Sequence, residues 1–299
     1  MKFSDQGREV PVFSSENAYH FIKEQVDFGP RVPNTAAHRN TILYLNNHFR
    51  ETAGNSAVYV QSFQTVAYGD TLNLFNLIAS FAPQKSDRIL LAAHWDTRPM
   101  AELDPDDPDS PIPGADDGGS GVGVLMELAS IFAEHEPPVG VDIILFDGED
   151  YGKPSDLDNY FLGSRHWGEN PPVPGYKPRF GILLDMVGGT GAVFPREGYS
   201  MRFAPDLVNE IWSVAAEFGF GELFSDERGG FIQDDHIIVE RLTGIPMINI
   251  IHHRVDALGT VHFPFYWHTH EDNMDIIDRD VLQAVGEVLL ELIYNRIPS

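Results

Sequence analysis

Acids and histidines gather where the most apolar segments of this chain stop. "RILLAA" runs into His94-Trp95-Asp96, "VDIILF" into Asp147-Gly148-Glu149-Asp150, "GILL" into Asp185, and "MINII" into His252-His253. In "FIQDDHIIVERLTGIPMINII", Gln233, Asp234 and Asp235 stand ahead of an apolar strand, and "FYWHTHEDN" follows with Trp267 and His268. The loop "PGADDGGSG" carries Asp116 and Asp117 just before a helical pattern, with glycines that let the backbone come close. Such groups are costly to bury unless they are paired or bound to a metal. The chain has no cysteine, which excludes disulfides, thiolate catalysis and cysteine zinc sites. A metal would be held by Asp, Glu and His, a set that suits zinc or a similar divalent ion with a position open for substrate. Each residue alone has an ordinary reading: Asp116 as a helix cap or turn residue, a lone His as a structural hydrogen-bonder, Glu149-Asp150 as a solvated loop. Several acids converging on one edge are harder to explain so, because like charges raise one another's pKa and destabilise the fold unless a cation compensates.

The elements that must position these groups are short apolar runs alternating with helical patterns. "AVYVQSFQTV" alternates like a strand, and "NLFNLIASF", "RILLAAH", "VDIILFD", "FGILLDMV" and "GIPMINII" suit a buried sheet. Helical spacing marks residues 16–29, 37–51, 120–135, 160–168, 205–219 and 278–296, the last with Asp278 as N-cap. The alternation predicts an α/β fold: one domain over residues 1–299, a three-layer sandwich with a mostly parallel central sheet flanked by helices. In open sheets of this kind ligands bind beyond the carboxyl ends of the strands, where the acids and histidines lie. The stretch "AELDPDDPDSPIPG" reads as a loop, either solvated or a calcium site.

The formal net charge is −25, which disfavours nucleic acid and anionic membranes as partners. Lysine is scarce, 5 against 15 arginines. The plain reading is an acidic soluble protein; the sharper one is a surface adapted to high salt. Self-repulsion opposes the compact state and dissolved ions screen it. The melting temperature is therefore expected to rise from low to molar NaCl; a flat or falling series of thermal melts refutes a salt-adapted surface. No apolar run approaches the ~20 residues of a membrane-spanning helix. The stretch "MKFSDQGREVPVFSSEN" lacks the apolar core of a signal peptide, so residence in the cytoplasm and export with a removed leader both stay open.

"LLAAHWDT", "GADDGGSGVGVLMELA", "ILFDGEDYG", "YFLGSRHW", "GILLDMVGG", "FIQDDHI" and "YWHTHEDN", in that order, resemble the zinc-dependent aminopeptidase-like hydrolases. The resemblance is nearer to their glutaminyl cyclase branch, over roughly residues 85–295. "HWD" and "GADD" are weak by themselves; "QDDH", then a strand, then "WHT" is specific to the cyclases. The resemblance implies one zinc per chain held by Asp117, Asp150 and His268, with Glu149 as catalytic acid/base. Asp185 and Asp234 match a pair of carboxylates behind the metal that share a proton, and Gln233 and Trp267 match residues lining the substrate pocket. It implies peptides with an N-terminal glutamine as substrates, cyclised with loss of ammonia, and a place outside the cytoplasm. Three positions depart from the pattern. The family's metal-binding Glu is Asp150, whose shorter arm demands a backbone shift or a changed denticity. A strand position that is often His is Asn249. A pocket tryptophan of the animal cyclases has no match in "YGKPSDLDNY".

Two other readings compete. In a two-zinc aminopeptidase of the same superfamily, His94 and Asp185 would bind a second metal, Asp117 would bridge the two, and Glu149 would activate water. A receptor-like module that kept the fold would have no need of the full ligand set or of Glu149.

Overall fold

The computed structural model describes residues 1–298. β1 (Val58–Ala67) and β2 (Asp70–Phe81) form a hairpin. Its two-residue turn, Tyr68-Gly69, takes φ values of 52° and 89°, the positive-φ geometry that matches the twist of the flanking strands. β3 (Arg88–His94), β4 (Gly140–Phe146), β5 (Gly181–Asp185) and β6 (Met247–Ile251) complete a sheet of order β1-β2-β4-β3-β5-β6. β4, β3, β5 and β6 run parallel, and β2 is antiparallel to β4. The four parallel strands therefore end at one edge, where the sequence puts its acids and histidines. β7 (Arg254–Val255) and β8 (Val261–His262) form a small separate hairpin after β6.

Helices cover both faces, so the expected three layers are present. α1 (Ser15–Asp27), α2 (Ala36–Ala53), α3 (Gly119–Glu134) and α8 (Arg279–Glu291) lie on one side, and α5 (Ser200–Phe203) and α6 (Pro205–Glu217) extend that layer past β6. α4 (Leu162–Glu169) and α7 (Asp235–Thr243) cover the other side. The pleat explains the continuous apolar runs. Ile89, Leu91 and Ala93 of β3 join the core under α3, whereas Leu90 and Ala92 meet Trp167 of α4 and Val239 of α7. A strand buried on both faces needs apolar residues at every position.

α3 is the helix that matters most to the site, and it sits very close to the sheet. A Cβ on Gly121 would come 2.4 Å from the Leu184 carbonyl oxygen, so the glycines of "GGSGVG" let the helix start directly over the end of β5. Ser14, Thr35 and Asp278 cap α1, α2 and α8 as Ser, Thr and Asp do. The pattern over 278–296 ends as a helix to Glu291 and a wider turn over Leu292–Arg296. α7 is the element that the sequence patterns did not resolve. Asp234 is its N-cap, accepting the Asp235 N–H, and Gly244 ends it with φ 70°. Among the described residues no helix is long and apolar enough to cross a membrane.

Candidate active site

The loops that leave the parallel strands bring three donors together. Asp150 follows β4, Asp117 precedes α3, and His268 comes from the segment between β8 and α8, with φ 57°. One ligand atom from each lies within 4.8 Å of the others. His268 Nε2 is 3.9 Å from Asp117 Oδ2 and 3.8 Å from Asp150 Oδ2. Two buried aspartates fix the backbone by the same device, one carboxylate taking two consecutive N–H groups. Asp96 accepts from Glu149 and Asp150 at 3.0 and 3.2 Å. Asp272 accepts from Asp116 and Asp117 at 2.7 and 3.1 Å. Asp116 caps no helix; it takes the Gly188 N–H and the Tyr266 hydroxyl and ties three loops together.

The donor chemistry fits a divalent cation. Asp150 Oδ2 is buried and makes no hydrogen bond. Glu102 Oε1 lies 2.7 Å from His268 Nδ1. Burial opposes ionisation of Glu102, but its bonds to His268 and Arg98 prevail and hold it at about 2. With Nδ1 on Glu102, the other ring nitrogen, Nε2, is turned toward Asp117 and Asp150. A second set shares Asp117: His94 Nε2 lies 3.1 Å from Asp117 Oδ1 and 3.3 Å from Asp185 Oδ1. The positions demanded by the two-metal reading are thus also brought together.

Around the donors stand four more acids. Burial, then the charges of Asp150, Asp234 and Asp235, hold Glu149 well above the ordinary carboxyl range, with His94 opposing. Burial pushes Asp185 up to about 6, against its bond to His94. Burial and the neighbouring Asp185 push Asp234 up to about 7. The two oxygens of Asp234 take the Asp235 N–H at 2.5 Å and the Asn249 amide at 2.6 Å. Asp185 and Asp234 are therefore coupled by charge, and no hydrogen bond joins them among the described contacts. Asp235, an ordinary loop or cap acid in the plain reading of the sequence, is fully buried, takes the Ser164 hydroxyl at 2.5 Å and is pushed by burial to about 8.

These raised values have a consequence for the metal-free protein. A carboxyl that holds its proton in the folded state to pH 6–8 and loses it near 4 when unfolded favours folding at low pH. That stability is lost as pH rises through the folded value. The chelated protein is expected to melt at progressively lower temperature between about pH 4 and 8, and added zinc to reverse most of that fall. Parallel melts with and without chelator decide it; identical curves contradict a cation among these acids.

A cavity of about 390 Å³ opens over the cluster, lined by the three donors and by Glu149, Asp185, Gln233, Asp234 and Trp267. The eight residues to which the resemblance gives roles thus share one chamber, whereas His252 and His253, also named at a strand end, do not line it. Trp267 stacks on His268 with centroids 3.6 Å apart, and Phe263 lies tilted against it at 4.3 Å. Leu157 and Tyr160, from the stretch with no pocket tryptophan, line the cavity as well, as does the exposed Phe231. Sequence reasoning missed Arg98 and Glu102. Their signal, an Arg and an acid just beyond "HWD", was too weak to separate from an ordinary loop. The same loop's Asp104 accepts N–H groups from Asp106, Asp107 and His270, which ties that acid to the chain itself.

The chain as a whole is similar to known proteins. The model of peptidase family M28 matches residues 76–293. A glutaminyl-peptide cyclotransferase of Bos taurus is 26% identical over 249 residues, 72% of this chain, and the chain spans 64% of that protein's length. The crystal structure of a Bacteroides thetaiotaomicron glutaminyl cyclase bound to N-acetylhistamine superposes with a TM-score of 0.90 at 46% identity, covering 96% of this chain and 99% of that one. A Zn-dependent exopeptidase from Parabacteroides distasonis gives a TM-score of 0.91 at 45% identity, covering 96% and 100%.

Proposed function

Since the chain belongs to peptidase family M28, in its glutaminyl cyclase branch, we propose that it is a glutaminyl-peptide cyclotransferase. It converts the N-terminal glutamine of peptides to pyroglutamate and releases ammonia, with one zinc ion held by Asp117, Asp150 and His268. The observation that carries this reading is the single chamber in which the donor set, Glu149 and the Asp185–Asp234 pair all face the same space.

A zinc ion bound there supplies Lewis acidity to the oxygen of the reacting side-chain amide. The α-amine attacks the amide carbon of its own side chain, so no water nucleophile is needed. Glu149 accepts a proton from the attacking nitrogen and delivers it to the departing one, which leaves as ammonia while the ring closes. Asp234, held by Asn249 on one side and by the helix terminus on the other, orients the reacting amide next to Asp185. Trp267 and the apolar residues that line the cavity exclude water and hold the side chain folded back on its amine.

Incubation with a Gln-initiated peptide and, separately, with a leucine anilide tests the class. Ammonia from the first without hydrolysis of the second is expected. The second reading rests on one observation, the His94–Asp117–Asp185 set. Two equivalents of zinc after extensive dialysis, together with anilide hydrolysis, would establish a two-metal aminopeptidase instead.

A further inference from the structure

Asp150 is one of the three proposed donors, and the structure shows what its second oxygen does. We propose, building on the metal reading above, that Arg98 and Glu102 form a positioning unit. It presents one oxygen of Asp150 and the Nε2 of His268 to the same cation.

Arg98 Nη1 donates to Asp150 Oδ1 at 2.7 Å and reaches the Asp150 carbonyl oxygen at 3.3 Å. Oδ1 is thereby committed to a guanidinium, and Oδ2 alone is left facing His268. A carboxylate turned to a guanidinium in this way offers its other oxygen first to a cation. The arginine itself is fixed. Its Nε and Nη2 donate to the two oxygens of Glu102 at 2.6 and 2.7 Å, it is fully buried, and its guanidinium carbon lies 5.5 Å from the Tyr160 ring centre. Glu102 in turn receives His268 Nδ1. Two of the three donors therefore meet on one buried ion pair, and the third, Asp117, is set separately by Asp272.

The charges close in the same sense. Arg98 and Glu102 neutralise each other, which leaves Asp117 and Asp150 to balance a double positive charge. A lysine would not substitute: it keeps the charge but lacks the planar fork that holds a carboxylate on each side.

The test reads metal binding rather than turnover. Zinc affinity is measured by competition with a chromogenic chelator. Coordination is read from the visible spectrum of the Co²⁺-loaded protein, whose absorption weakens when a fifth ligand joins four, and circular dichroism controls for folding. Glu102→Gln is expected to loosen zinc by about 10–100-fold. Arg98→Met is expected to release Oδ1 to the metal and weaken the cobalt bands, with Arg98→Lys intermediate in affinity. Folded variants that bind zinc as tightly as wild type with unchanged cobalt spectra overturn the inference and leave the proposed function standing. If Arg98→Met does not fold, the near-isosteric Glu102→Gln decides alone. A wild-type protein that takes neither zinc nor cobalt overturns the metal reading and this inference together.

Discussion

Glu149→Gln is expected to give a folded, zinc-replete protein whose turnover has fallen by ~10²–10⁴-fold, the usual worth of a positioned proton carrier. The amide keeps the shape and volume of the acid, and the backbone bond from Glu149 N–H to Asp96 does not involve the side chain. What disappears is the capacity to hold a proton between two nitrogens. Glu149 works as a base only when ionised, and in the metal-free protein burial and the surrounding acids hold its pKa well above the usual carboxyl value. Wild-type activity should therefore climb as Glu149 ionises with rising pH, and the Glu149 contribution to the limb should vanish in the variant. Rates of ammonia release across pH, with zinc content measured on the same samples, check both statements. A variant with a near-wild-type rate removes Glu149 from the mechanism.

Asp234→Ala is the second large effect: turnover falls about 10²-fold or more, with zinc content unchanged. The substitution is not a simple deletion. It takes away the N-cap of α7, at a cost of ~0.5–2 kcal/mol, and it also removes a buried acid whose ionisation the site opposes. The two contributions offset, so only a small change in melting temperature is expected. Asn249→Leu probes the same carboxyl without removing it. The lost amide donor favoured the charged form, and a hydrogen bond to a charged group is worth ~1.5–3 kcal/mol. The part of the pH–rate profile governed by Asp234 should thus move up by roughly 1–2 units. Loss of zinc in Asp234→Ala, or an unmoved profile in Asn249→Leu, refutes the assigned role. Asp235 is no neutral control for this pair, because its buried carboxyl already holds Ser164.

The strand ends could be read from the sequence because a strand buried on both faces leaves an unbroken apolar run, and the polar residue that stops it marks the edge of the sheet. Residues 231–251 were harder. Ile237, Ile238 and Val239 are all buried in α7, so the apolar residues are consecutive rather than spaced around a helix, and they run on towards β6. The helix signals were present in Asp234 and Gly244, but the apolar content outweighed them. The pocket wall was illegible for a different reason. Ser155 and Phe161 adopt φ values of 70° and 60° without being glycine, so tertiary contacts, not local preference, set that loop. Arg98 and Glu102 meet Asp150 and His268 only across 52 and 166 residues, and no local pattern records such a meeting. Asn249, a departure from the cyclase pattern in the sequence, became intelligible only once its amide was seen against Asp234.

The two carboxylate bridges imply an order of assembly. Asp96 reaches its partners across 53 and 54 residues, whereas Asp272 reaches back across 156 and 155. Closing the longer span costs about 1 kcal/mol more in chain entropy, and its far end is synthesised late. The half of the centre that carries Glu149 and Asp150 should therefore become structured while Asp117 still waits for the C-terminal segment. In pulse-labelled refolding, the amide of Asp150 is expected to gain protection before that of Asp117; the reverse order contradicts the scheme. A ribosome-bound or truncated chain that lacks Asp272 and His268 holds an unfinished ring of acids, and metal capture becomes a mark of the completed polypeptide.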